Sequence, residues 1–265
     1  VRIGFVGAGR MGRPMVARLI EAGHDVRALG RSAEKRAGVA GLGATAVADV
    51  CAVAAAADVV AVCVFTDDQV RQVCLDSGLL TAMTSGSALV VHTTASPATV
   101  EAIAARAAAH GVAVADAPVS GSPLDAAAGK LTLFVGGDDE TVARLQPTLG
   151  CYGDPVVHVG PTGAGQKVKL VNNALFAAQL GLLAAGAQLG KRLGVPEPTL
   201  LAALSHGSAA SRVLNMVAAH GSVASFIATV REFVGKDVAV ARTIASELGS
   251  GLGLLDAVIE AAMKG

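Results

Sequence analysis

Lys169 and Asn173 stand four residues apart in the segment Gly160–Asn173, which reads GPTGAGQKVKLVNN. A helix is expected to follow the glycine-rich turn, and a spacing of four puts both polar side chains on one helical face. A lysine near a helix start meets the positive end of the helix dipole, and burial adds to the pressure toward the neutral amine. Such an amine passes a proton to an oxyanion and takes it back. Carbonyl reduction has this need, because the oxygen requires a proton once hydride has reached the carbon. The other reading of the spacing is an amphipathic helix whose lysines face water. Lys167, two positions away, points about the opposite way round and is the natural solvated partner.

Hydride chemistry requires a carrier, and the chain opens with a sequence suited to one. Gly7-Ala8-Gly9-Arg10-Met11-Gly12 follows an apolar run and precedes a helical pattern. The first glycine permits a tight turn, the second lets backbone approach a pyrophosphate, and the third lets helix and strand pack closely. The plainer alternative is a structural glycine turn. At the end of the second apolar run, Leu29-Gly30-Arg31-Ser32 has no carboxylate to meet a ribose 2′-hydroxyl. Arg31 and Ser32 instead offer donors to a 2′-phosphate, which favours NADP and leaves NAD as the alternative. Read without that role, Arg31 is a solvated loop cation.

These residues need a scaffold, and the pattern supplies one. Over the first 150 or so residues, short β-branched runs alternate with Ala-rich helical stretches, the pattern of an α/β doubly wound parallel sheet. Expected strands are Arg2–Val6, Asp25–Leu29, Val59–Val64, Ala88–His92, Val112–Asp116, Thr132–Gly136 and Val156–Gly160. In such a sheet, ligands bind beyond the carboxyl ends of the strands. Asp116-Ala117-Pro118-Val119-Ser120-Gly121-Ser122 closes the fifth run, where small residues bring N–H groups and hydroxyls against an anion. Thr93-Thr94-Ala95-Ser96-Pro97 closes the fourth and places a hydroxyl and a helix N-cap at the same rim. From Gln166 to Leu193 no proline interrupts the pattern, so one helix of roughly 40 Å is expected. Gly194 and Pro196 end it, and the remainder reads as helices. The expected domains are 1–161 and 162–265, joined by that long helix.

Composition narrows the function classes. Lys plus Arg and Asp plus Glu are 21 each, giving zero formal net charge and no basic field for nucleic acid or anionic membrane. The chain is 52% apolar, yet no uninterrupted apolar run reaches the ~20 residues of a membrane span. The opening residues read as a strand and a turn without the features of a secretory signal, so a cytosolic location is expected. Cys51, Cys63, Cys74 and Cys151 lack paired spacing and read as reduced thiols, and the six histidines suggest no metal site. A single Tyr and no Trp suit a small substrate without large stacking surfaces.

Taken together, the ordered motifs GFVGAGRMGRPM (Gly4–Met15), TTASP (Thr93–Pro97), DAPVSGS (Asp116–Ser122), GPTGAGQKVKLVNN and VGKDVAVA (Val234–Ala241) resemble the β-hydroxyacid dehydrogenase family. Its members include 3-hydroxyisobutyrate dehydrogenases, tartronate semialdehyde reductases and glyoxylate/succinic semialdehyde reductases, and the resemblance spans almost the whole chain. It implies an N-terminal Rossmann domain, an all-helical C-terminal domain, Lys169 as acid/base with Asn173 beside it, and Ser120, Gly121 and Ser122 holding a substrate carboxylate. It further implies Thr94 near the cofactor, Lys236 on the nicotinamide side, and a homodimer or homotetramer. The chain departs from the common family pattern at Ser122, where many members have glycine, and at His92, where an acidic or amide residue is frequent. Two alternatives stay open: a non-catalytic NADPH-binding sensor or scaffold, and an imine reductase-like enzyme, against which the retained Lys169 speaks.

Overall fold

The computed structural model describes residues 1–263. In its first part, strands and helices run in the order β1 (Arg2–Val6), α1 (Gly12–Glu21), β2 (Asp25–Leu29), α2 (Ala33–Ala40), β3 (Thr45–Val47), α3 (Val50–Ala54), β4 (Val59–Val62), α4 (Asp67–Arg71), α5 (Leu79–Ala82), β5 (Ala88–Val91) and α6 (Pro97–Ala108). There follow β6 (Ala113–Asp116), β7 (Val119–Ser120), α7 (Pro123–Ala127), β8 (Leu131–Gly136), α8 (Asp139–Leu149) and β9 (Gly153–Gly160). The remainder is helical: α9 (Ala164–Arg192), α10 (Glu197–Leu204), α11 (Arg212–His220), α12 (Val223–Glu247) and α13 (Leu254–Met263).

The strands form one sheet in the order β3-β2-β1-β4-β5-β6-β8-β7, with β9 pairing β8. The six strands from β3 through β6 are mutually parallel, and their order reverses between β1 and β4. That reversal opens a crevice beyond the carboxyl ends, the usual ligand position in such sheets. Period-two alternation fills both faces. Ile3, Phe5, Val59, Ala61, Ala88 and Val90 point to one core with Met15 and Leu19 of α1 and Leu145 and Leu149 of α8. Val60, Val62, Leu89 and Val91 point to the other with Val100 and Ile103 of α6.

The sheet departs from the sequence reading in two respects. The sixth expected strand, β8, runs antiparallel to β6, because β7 and the short α7 return the chain without a full helical crossover. The three-residue β3 and two-residue β7 were also unforeseen, being too short to show a period.

Compact packing divides the chain at Lys169/Leu170, within α9. The first turns of α9 group with the sheet unit because they are hydrogen-bonded to it through Asp116 and Gln166. The helical unit has its own cores, one around Leu180, Leu214 and Val217 and another around Ala177, Val238 and Ile259. Gly194, with φ +77°, ends the helical run after α9, and Pro196 caps α10.

Among the described residues α9 is also the one helix long and apolar enough to cross a bilayer. Its polar interruptions at Asn172, Asn173, Gln179 and Gln188 break any continuous apolar run, and Ala177, Ala178 and Leu180 are buried within the helical unit.

The docking of α9 on the sheet unit leaves no room for a side chain at Gly165. A Cβ there would lie 2.3 Å from the Phe134 carbonyl oxygen and 2.7 Å from Asp116 Oδ2. Gly165→Ala is therefore expected to lower stability by about 1–3 kcal/mol, as overpacking against backbone does. Urea unfolding would measure it, and an unchanged midpoint would show that α9 does not pack this closely.

Candidate active site

The three glycines of the N-terminal turn have different surroundings. At Gly7, φ is +104° and a Cβ would sit 2.1 Å from the Cys63 carbonyl oxygen; at Gly12 it would sit 2.2 Å from the Gly7 carbonyl oxygen. Neither position admits any other residue without moving backbone. Gly9 differs, with nothing within 4 Å of its would-be Cβ. The turn thus presents bare, open backbone at the start of α1, a shape that fits a dinucleotide pyrophosphate. Ala8, Arg10 and Met11 complete this turn.

At the end of β2, Arg31 is exposed and Ser32 caps α2 by accepting the Lys35 N–H at 3.2 Å. Capping uses a lone pair of the Ser32 oxygen, so its O–H remains a donor. Gly30 lies against Arg36, whose Nη1 donates to the Gly30 carbonyl at 3.1 Å. The strand end is thereby held without any carboxylate.

Across the crevice, the carboxyl ends of β5 and β6 are fastened to α9. Asp116 is fully buried, and its two oxygens accept N–H bonds from Gly163 (2.6 Å) and Gln166 (2.7 Å). Gln166, equally buried, accepts from the Ala95 N–H and donates from Nε2 to the Thr93 carbonyl, both at 2.9 Å. Its amide therefore spans the turn that carries Thr94, which is itself buried. Lys169, one turn further along α9, is 7% exposed, whereas Lys167 is exposed and pairs with Glu101 at 3.2 Å. The N-cap expected from the TTASP segment takes another form. Ser96 occupies the cap position of α6 without a side-chain bond, and Asp67 on α4 accepts its N–H at 2.8 Å.

The loop after β6 is held by its own hydrogen bonds. Both donors of Ser122 are turned inward: its N–H and O–H each reach Asp125 Oδ2 at 2.7 Å, and its hydroxyl accepts the Asp125 N–H in a capping box for α7. The cap satisfies the helix start. In the same loop Ser120 is paired with Thr132 across β7 and β8, and Gly121 has a φ of +140°, which favours glycine.

In the helical unit, Asp237 joins two residues singled out in the sequence. Asn173 Nδ2 donates to Asp237 Oδ2, and Lys236 Nζ lies 2.5 Å from Asp237 Oδ1. Asp237 is buried and fixes both side chains. Sequence reasoning passed over it, although the Lys236-Asp237 pair lies in the VGKDVAVA motif. It also gave no task to Gln166 or Asp116, since their partners lie 47 to 73 residues away. The four cysteines are free, and no group of three His, Cys, Asp or Glu suited to a metal occurs among the described residues.

Comparison with known proteins accounts for almost the whole chain. Residues 2–160 match the family described as the NAD binding domain of 6-phosphogluconate dehydrogenase. Residues 163–264 match that described as NAD-binding of NADP-dependent 3-hydroxyisobutyrate dehydrogenase. A 2-(hydroxymethyl)glutarate dehydrogenase of Eubacterium barkeri is 35% identical over 201 residues, 76% of this chain and 67% of that protein. The mitochondrial 3-hydroxyisobutyrate dehydrogenase of Bos taurus is 46% identical over 92 residues, 35% of this chain and only 27% of the bovine one. A Mycobacterium tuberculosis 3-hydroxyisobutyrate dehydrogenase solved with L-serine superposes with TM-score 0.88 at 28% identity, covering 99% of this chain and 92% of that one.

Two buried groups in the sheet unit titrate in opposite senses. Burial pushes Asp116 up from 3.8 to about 6, outweighing the N–H bonds that favour its anion, and burial pushes His92 down from 6.5 to about 4. Between pH 6 and 4 the folded protein holds a proton on Asp116 that the unfolded chain has released, so acidification stabilises it; this contribution is lost as pH rises through 6. His92 does the reverse, because the unfolded chain takes up a proton there that the fold refuses, and its contribution is lost as pH falls through 4. Relative to the unsubstituted protein, His92→Gln should gain stability from pH 6 to 4 and Asp116→Asn should lose it, each by roughly 1.4 kcal/mol per pH unit. Chemical denaturation across that range would check this; differences flat with pH would refute it.

Proposed function

We propose, from the premise that the chain belongs to the β-hydroxyacid dehydrogenase family, that it is an NADP-dependent oxidoreductase interconverting a small carboxylate-bearing hydroxy acid and its semialdehyde or keto acid. The observation that carries this reading is Lys169, 7% exposed on a helix whose first turns are tied to the carboxyl ends of β5 and β6. An amine carried on that helix would serve the rim where ligands bind in such sheets.

The cofactor fits the turn from Gly7 to Gly12, where two glycines admit no side chain and Gly9 leaves backbone open. Arg31 and the Ser32 hydroxyl would take the 2′-phosphate. By the family resemblance, Thr94 would lie near the cofactor and Lys236 on its nicotinamide side. Bound there, the nicotinamide supplies or accepts the hydride at the substrate carbon. The residues of this chain handle the rest. Ser120 and Gly121 hold the substrate carboxylate. Lys169 Nζ gives a proton to the oxygen during reduction and takes it back during oxidation, and Asn173, fixed by Asp237, steadies the reacting oxygen. Buried Gln166 keeps the Thr94 turn and the lysine helix in register while excluding water between them.

Two experiments test the reading. Lys169→Ala should lower turnover on the order of 10²–10⁴-fold and leave NADPH binding nearly intact, measured by nicotinamide absorbance and titration with NADPH. Retained turnover would eliminate the proton role. A panel without turnover despite tight NADPH binding would favour a sensor or scaffold, and turnover of cyclic imines alone would favour an imine reductase. Arg31→Ala should raise the KM for NADPH by about tenfold and leave that for NADH little changed; equal effects on both would assign Arg31 to the surface.

The same reading includes a homo-oligomer. Val171, Leu175, Leu182 and Leu189 recur along α9, with Leu193 just past its end, and are 46–72% exposed, an apolar stripe that a second copy would cover. Light scattering should give a dimer or larger, and Leu182→Glu with Leu189→Glu should dissociate it; a monomer before substitution would rule this out.

A further inference from the structure

Beyond the last backbone rungs of β4, β5 and β6, side chains hold the strand ends together. Thr93 fastens its turn to the β4 side, its hydroxyl accepting the Val64 N–H at 2.9 Å and donating to the Val64 carbonyl at 3.0 Å. The neighbouring His92 fastens the same turn to the β6 side. Its Nδ1 lies 2.7 Å from the carbonyl oxygen of Ala117, the residue that leads into the Ser120–Gly121 loop. Its Nε2 lies 2.9 Å from the hydroxyl of Tyr152, whose ring stands edge-on at a centroid distance of 5.5 Å. Both side chains are buried, at 2% and 1% exposure.

This arrangement fixes the tautomer. A carbonyl oxygen can only accept, so the ring proton must sit on Nδ1. Burial keeps the ring uncharged near neutral pH, its pKa lowered to about 4, so Nε2 is a bare acceptor and the Tyr152 O–H must donate to it. With the proton on Nε2 instead, Nδ1 and the Ala117 carbonyl would face each other as two acceptors. That mismatch would leave the buried carbonyl without its donor, and the Tyr152 hydroxyl would accept from Nε2 instead of donating to it.

Resting on the assignment of this rim to substrate, we propose that His92 is a positioning residue: its Nδ1–H tautomer, selected by the Ala117 carbonyl and braced by Tyr152, sets the separation between the Thr94 turn and the Ser120–Gly121 loop. The cofactor side of the same turn is held independently by Thr93. Loss of the His92 bond should therefore disturb substrate alignment and spare cofactor binding. A histidine that merely filled space would be replaceable by any apolar group of similar volume.

His92→Leu fills the space without a donor, and His92→Asn returns an amide N–H near the position of Nδ1. We expect His92→Leu to lower kcat on the order of 10–100-fold, with the Kd for NADPH within about 3-fold of the unsubstituted protein. His92→Asn should recover most of the kcat, and Tyr152→Phe, which removes the hydroxyl bonded to Nε2 and leaves the Nδ1 bond, should fall between the two. Equal kcat for the Leu and Asn variants, or a loss of NADPH affinity parallel to the loss of kcat, overturns the proposal. Nitrogen-15 spectra of the imidazole in the unsubstituted protein give a readout independent of turnover and of variant folding. A proton on Nδ1 is expected, and a proton on Nε2 overturns the proposal. If Lys169→Ala retained full turnover, the proton role would fall, while the His92 spectra and the Leu/Asn comparison would still decide this inference.

Discussion

A carboxylate sealed from water at the end of β6 organises the sheet unit's side of the candidate site. Asp116 could not be tolerated there alone, since a buried group of this polarity requires compensating donors. The first turn of α9 supplies them in the N–H groups of Gly163 and Gln166, which a helix start leaves without internal partners. Glycine surrounds the contact because nothing larger fits: a Cβ on Gly136 would approach Asp116 Oδ1 to 2.4 Å, and one on Gly165 would approach Oδ2 to 2.7 Å. Helix and sheet meet through backbone. The lysine one turn along is consequently placed by hydrogen bonds rather than by apolar packing, which tolerates repacking.

The same device recurs in the helical unit. Asp237 takes a hydrogen bond from Asn173 and an ion pair from Lys236, so another buried carboxylate aims two polar side chains at once. Elsewhere the cores are built mainly of Val, Ala and Leu, residues that fill volume but carry no directional information. Direction comes from a few polar groups: Asp116, Gln166, Thr93, His92 and Asp237.

Much of the sheet was legible because burial on both faces writes continuous apolar runs into the sequence, and β1 and β2 fall on the expected residues. Strand direction was not legible, since an apolar run of six residues reads alike in either sense, and β8 proved antiparallel. The glycine turn could be read residue by residue because its constraints are local. Ser122 could have been read as a cap from the Ser-x-x-Asp spacing that it shares with Asp125, a local signal that the resemblance to a substrate loop overshadowed. Asp116, Gln166 and His92 were beyond local reading: each stands in a visible motif, but its partner is remote in sequence. His92 stood out only as a departure from a pattern, and Ala117 and Tyr152, 25 and 60 residues away, supply its explanation.

The seam between the two units runs through an unbroken helix instead of a linker. Severing the chain at that seam would strand up to four carbonyls on one fragment and as many amides on the other. The sheet fragment would also keep the lysine while forfeiting the coil that holds its backbone in place. Neither half is a natural module for recombination, and a chimera that exchanges helical portions between related chains would do better to join them in the loops flanking α9, carrying that rod whole.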